Sequence, residues 1–193
     1  NKSYQISVAW KDELDEAKDV IYSYFRTKVP FHFKGILHGT FELNSDRNDI
    51  LSEDVYNKKL IKLIPGLIAD IALKIATNET QLKNYKALSF TIFDNTILPS
   101  IMKDEAFDFE NKLKEALYTK EILPTICNEY ISLSQEPVYY PQDVFPKLLP
   151  KEHFQDILIG SDDENIKKHL NYLDTKTYLF KTICDVISIK AKE

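Results

Sequence analysis

One arginine stands in the middle of a run of turn-forming and helix-capping residues, Asn44-Ser45-Asp46-Arg47-Asn48-Asp49. A guanidinium is planar, permanently charged and carries five donors in a fixed fork, so it suits an anionic oxygen group. Two readings stand for it. In one, Arg47 faces solvent and pairs with Asp46 or Asp49, a contact of small energetic weight. In the other, it reaches a phosphate presented by another domain and stabilises the charge that develops there.

The remaining candidates for chemistry are weaker. His32 and His38 share strand parity and would lie about 20 Å apart along an ideal strand, too far for one metal ion without a bulge, so exposed or cross-strand structural roles are expected of them. His153 and His169 have no ligand-like neighbours in sequence. Asp104, Glu105, Asp108 and Glu110 precede a helix, where acidic residues complement the dipole, and Asp162, Asp163 and Glu164 read the same way. Tyr22, Tyr24, Phe25, Phe31, Phe33 and Phe41 lack interleaved basic residues, which points to core or strand-pair packing rather than base stacking. Only four glycines occur, so neither a phosphate-cradling loop nor a dinucleotide fingerprint can be written from this sequence. A small hydrolase built on the acidic cluster would lack a paired base, a nucleophile and an oxyanion feature.

The element that must position Arg47 precedes it. From Phe31 to Leu43 apolar residues and glycines fill the odd positions and mostly polar residues the even ones. That alternation predicts one strand of thirteen residues, about 43 Å long, bent or bulged at Gly35 or Gly39. Tyr4 to Trp10 reads as an earlier strand. Val20 to Arg26 reads as another, with a helical alternative through Leu14, Ala17, Ile21 and Tyr24. From Val55 to Ile75 the apolar period becomes helical, and Pro65-Gly66 either kinks that helix or divides it. Capping-box spacings predict helix starts near Asn78 and Ser161, the second running to about Leu173. A helix is expected at Phe107 to Lys120, short β pieces over Ile126 to Tyr140, and a short helix over Lys151 to Ile159. Leu179 to Ile189 suggests a last helix.

The expected fold is therefore α+β, a small mostly antiparallel or mixed sheet packed against helices and followed by a largely helical C-terminal part. A proline-rich change near 141–150 divides an α+β domain, 1–145, from a helical extension, 146–193. The net charge of −5 argues against a duplex nucleic-acid binder. No apolar run is long enough for a transmembrane span, so no membrane partner is expected. Two cysteines, Cys127 and Cys184, fit small buried apolar positions in a reducing, cytoplasmic setting. The chain starts at Asn1 without a methionine and almost at once enters a strand-like run, and is read as a piece of something longer.

At these residues the sequence resembles the segment that follows the ATP-binding domain in sacsin-like, heat-shock-chaperone-like GHKL ATPases. The resemblance rests on Tyr24-Phe25-Arg26-Thr27, then Gly39-Thr40-Phe41-Glu42-Leu43, then Ser45-Asp46-Arg47-Asn48. It continues in Tyr56-Asn57-Lys58-Lys59-Leu60-Ile61, in Ile122-Leu123-Pro124-Thr125, and in Glu129-Tyr130-Ile131-Ser132 with Pro137-Val138-Tyr139, and so covers roughly 20–145. Leu43-Asn44-Ser45-Asp46-Arg47 is similar to a Leu-Asn-x-Ser-Arg run of the heat-shock chaperones, with the serine and its neighbour exchanged in order. The resemblance implies a middle, transducer-like domain. It implies Arg47 as the catalytic residue reaching the γ-phosphate, with Asn44 and Ser45 beside it at the cofactor. ATP and Mg would be bound by an N-terminal ATP-binding domain of the same polypeptide, because the Asn-bearing helix and Gly-rich lid of the family match nothing here. A protein client or a homodimer partner is expected of the whole protein, and no activity of this chain alone. The alternative from a different class is a stand-alone α+β interaction module without nucleotide linkage.

Overall fold

The computed structural model describes residues 3–10, 20–103, 107–140 and 155–177. The helix expected at Leu179 to Ile189, with Asp104, Glu105, His153 and Cys184, lies outside them. The fold is α+β. It gathers into two compact units, one drawn from Asn1–Lys74 and Ser89–Leu117, the other from Ile75–Leu88 and Tyr118–Glu193.

The first unit is built on a mixed four-stranded sheet of order β1-β4-β2-β3, with β1 Ile6–Ala9, β2 Val20–Ser23, β3 Phe25–Pro30 and β4 Ile36–Gly39. β1 runs antiparallel to β4, from Ile6 opposite Gly39 to Ala9 opposite Ile36. β2 joins β4 in parallel, with Tyr22 opposite His38. Burial alternates along β2 and β4, as a sheet with one covered face requires. Ile21 and Leu37 are fully buried there.

The strand expected over Val20 to Arg26 is two strands instead. Tyr24 takes a left-handed backbone, φ 58°, and reverses the chain, so Ser23 faces Phe25 and Tyr22 faces Arg26. His38 Nε2 accepts the Tyr24 amide at 3.2 Å and holds the reversal. The ladder slips between Val20 and Tyr22. Thr27 serves the slip: its hydroxyl donates to Ile21 O at 2.5 Å and accepts from Val29 N at 3.1 Å.

The thirteen-residue strand is likewise broken. Phe33 makes a single bridge to Phe93, the chain bends at Lys34–Gly35, β4 occupies Ile36–Gly39, and Leu43 bridges Ile50. The bend falls at one of the two expected glycines. Both glycines answer a need for space rather than an unusual φ. A Cβ on Gly35 would stand 2.6 Å from the Phe33 ring, and one on Gly39 would stand 2.5 Å from the Phe41 ring.

The helical stretch divides rather than kinks. α1 Val55–Ile61 starts at Asp54, whose carboxylate accepts from Tyr56 N and Asn57 N, and ends at Lys62. α2 Ile64–Asn78 then carries Pro65 in its first turn, where a missing N–H removes no helical bond. α3 Lys86–Phe90 starts well after the expected Asn78. Asn78 closes α2, and Glu79 instead accepts Gln81 N and Asn84 Nδ2, while Asn84 Oδ1 receives Lys86 N at 2.9 Å. α4 Phe109–Leu117 lies inside its expected range. Edge-on aromatic pairs knit the core: Phe31 with Phe109 at 5.7 Å, Phe33 with Phe90 at 5.8 Å, Phe93 with Phe109 at 5.2 Å.

In the second unit β5 Leu123–Pro124 pairs antiparallel with β6 Tyr130–Ile131. β7 Val138–Tyr139 pairs in parallel with β8 Lys176–Thr177. α5 Glu164–Tyr172 is the helix expected from Ser161, but its cap is Asp163, which accepts Asn165 N at 2.8 Å. The helix expected to reach Ile159 gives way to bridges, Ile157 to Val138 and Leu158 to Thr125. Cys127, expected as a buried residue, is exposed in the turn between β5 and β6. Among the described residues no helix is long and apolar enough to cross a membrane.

Candidate functional site

The loop that carries Arg47 is a closed hairpin. Leu43 and Ile50 bridge at its base, Asn44 N donates to Asp49 O at 3.0 Å, and Leu51 N donates to Glu42 O at 3.0 Å. Inside it, Asn44 Oδ1 accepts both Asn48 N and Asp49 N at 3.1 Å, an asparagine imitating a backbone turn. Arg47 N donates to Asn44 O at 3.0 Å, and Arg47 itself sits in the left-handed region, φ 61°. Lys28 N donates to Asn48 O at 2.8 Å and ties the loop to β3.

Beneath the hairpin stands Asn57, fully buried on the inner face of α1. Its Oδ1 accepts Glu42 N at 2.9 Å, and its Nδ2 donates to Glu42 O at 2.8 Å and to Leu51 O at 2.9 Å. One side chain thus grips both strands at the base. A signal for this was present in the sequence: Asn57 shares the helical stripe of Leu60, Ile61 and Ile64, a polar residue among apolar ones.

The two carboxylates of the loop are exposed but accept from its own backbone. Asp46 Oδ1 accepts Asn48 N at 3.1 Å, and Asp49 Oδ1 accepts Ile50 N at 2.9 Å. Hydrogen bonds from Asn48, with the charge of Lys28 nearby, hold the Asp46 carboxyl below its ordinary range. Neither pairs with Arg47, and among the described residues no carboxylate does. The guanidinium of Arg47 instead lies 5.9 Å from the centre of the Phe25 ring, a residue 42% exposed at the tip of β3.

Of the three sequence-assigned residues, Arg47 and Ser45 are exposed on this loop and Asn44 is its internal brace. Beside the loop opens a cleft of about 390 Å³, with Lys28, Asn44, Asp46 and Asp49 on its rim and Val29 and Ile50 among its apolar walls; Arg47 does not line it.

Among the described residues, His38, His169, Asp108 and Glu110 take structural places. His38 caps the β2–β3 reversal. His169 is buried against Tyr172, and burial pushes its pKa down to about 4. Asp108 accepts Asn111 N and starts α4, with Glu110 in the first turn. Among the described residues no group of three His, Cys, Asp or Glu gathers as a metal would need.

An exposed, uncompensated guanidinium on a braced loop can stabilise an anion brought to it from outside. No family model, no curated protein and no solved structure matches this chain.

Proposed function

We propose that this chain is the middle, transducer-like region of a GHKL-type, chaperone-like ATPase, and that it donates Arg47 toward the γ-phosphate of ATP. The observation that carries the reading is the Arg47 guanidinium, exposed and without a carboxylate partner on a loop closed at its base and gripped by Asn57. ATP with its Mg would be held by an N-terminal domain of the same polypeptide and would supply the bond to be broken. Arg47 then offers its donor fork to the phosphate oxygens as charge develops on them. Asn44 keeps the loop in shape, and Ser45 offers an exposed hydroxyl beside the arginine. Domain closure would couple nucleotide state to a client or to a second subunit, in a cytoplasmic protein.

The test is Arg47→Ala in the intact protein. ATP turnover should fall about a hundredfold or more while nucleotide affinity is largely kept. Arg47→Lys, which retains charge without the fork, should fall between the two. Unchanged turnover in Arg47→Ala removes the catalytic role.

A second reading, an interaction module without nucleotide linkage, draws support from Leu51, Val55, Tyr56 and Leu63, four large apolar residues exposed at and around α1. It expects partner binding to fall in Val55→Ser with Leu63→Ser and to be indifferent to Arg47→Ala.

A further inference from the structure

We infer that Phe25 is a positioning residue for Arg47, a clamp that fixes the guanidinium without consuming its charge. This rests on the reading of Arg47 given above and deepens it.

The loop fixes where Arg47 begins, through its left-handed backbone and the bond from Arg47 N to Asn44 O. The flexible side chain beyond remains to be ordered, and two kinds of neighbour could do it. An ion pair with Asp46 or Asp49 would hold the guanidinium but neutralise it and occupy its donors. Both carboxylates are instead engaged by backbone N–H groups, of Asn48 and Ile50. The neighbour that is present is an aromatic face. A ring attracts the cation through its quadrupole and takes no conventional hydrogen bond from it, so the guanidinium donors are left for another acceptor.

The placement of Phe25 is itself built. It follows directly on Tyr24, whose left-handed turn is held by His38 Nε2, so the ring stands at the end of the edge strand β3, opposite Ser23 and on the same side of the sheet as Thr27 and Val29, where its place at the tip leaves it part exposed. Lys28, three residues along the same strand, is bonded to the Arg47 loop through Asn48. Ring and loop are therefore both tied to β3.

The experiment is a double-mutant cycle in the intact protein, with ATP turnover and nucleotide affinity measured for Phe25→Tyr, Phe25→Leu, Arg47→Ala and the double variant. Phe25→Tyr should match wild type. Phe25→Leu, which keeps apolar bulk and loses the ring, should lower kcat about two- to fivefold with KM unchanged. In the Arg47→Ala background it should change nothing further. A Phe25→Leu effect of the same size in that background, or none in wild type, overturns the inference. If Arg47→Ala leaves turnover intact, the functional reading fails separately. The clamp then stands or falls on ¹⁵N-arginine spectra of the intact protein, where the Arg47 side-chain order parameter should drop in Phe25→Leu and hold in Phe25→Tyr. An unchanged order parameter refutes it.

Discussion

Replacing Asn57 with alanine tests whether one buried amide holds the Arg47 hairpin. The variant removes three hydrogen bonds, at 2.9, 2.8 and 2.9 Å. Their partners do not fare alike. Glu42 O keeps Leu51 N, and Leu51 O keeps Asp54 N at 3.3 Å, so both carbonyls retain a donor. Glu42 N loses its Asn57 acceptor in a partly buried position. Two bonds of about 1 kcal/mol each, with about 1–3 kcal/mol for that N–H, give a loss of about 3–5 kcal/mol. The chain has a single tryptophan, Trp10, packed edge-on to Phe90 within the same unit, so its fluorescence reports this unit during urea unfolding. With a slope of about 2 kcal/mol/M, the midpoint should fall by about 2 M. Asn57→Asp should do no better, because a carboxylate presented to two carbonyl oxygens replaces two donors with repulsion. A loss below about 1 kcal/mol for Asn57→Ala would show that water or loop relaxation satisfies Glu42 N, and the hairpin would not depend on this grip.

Two further outcomes follow from side chains elsewhere. His169 has its folded pKa depressed to about 4 by burial, below its ordinary value near 6.5, so the fold favours the neutral ring. That stability is full above pH 6.5 and is lost as pH falls toward 4, about 2 kcal/mol of it between pH 7 and pH 5. His169→Gln should flatten the pH dependence of unfolding by that amount, and equal slopes in the two proteins would contradict it. Thr27→Val removes the hydroxyl that serves both Ile21 O and Val29 N at the ladder slip. It should destabilise the first unit by about 1–3 kcal/mol, read by the same tryptophan unfolding curve, and a neutral result would place the slip's stability in the backbone alone.

The sequence carried α1, α2 and α4 because their signal is local. The apolar period over Leu60, Ile64, Ile68 and Ala72 lies on the buried side of α1 and α2, and Phe109, Leu113 and Leu117 do the same for α4. The bend in the long strand fell at an expected glycine, Gly35, whereas the strand over Val20 to Arg26 was overestimated because no turn residue marks its reversal. Tyr24 has no turn propensity, and its reversal is stabilised by His38, fourteen residues away. Capping boxes were misplaced at Asn78 and Ser161 because Glu79, Asn84 and Asp163 compete for the same backbone donors. The turn cluster Asn44–Asp49 was legible as a polar loop presenting Arg47. Of its supports, Asn57 left a signal as a polar residue in the apolar stripe of its helix, while Phe25 left none, since it meets the loop only through the folded sheet.

Gly35 and Gly39 have a consequence for how this sequence can drift. Each shares one parcel of space with a ring two residues away, Phe33 for the first and Phe41 for the second. Glycine and phenylalanine there behave as a single unit of volume divided between two positions. Alanine at either glycine must displace the neighbouring ring, and a small residue at the buried Phe41 leaves a void. The two changes made together relieve each other. Homologous chains should therefore alter positions 33 and 35, and 39 and 41, in pairs, and a survey showing independent change at these positions would contradict the shared-volume account.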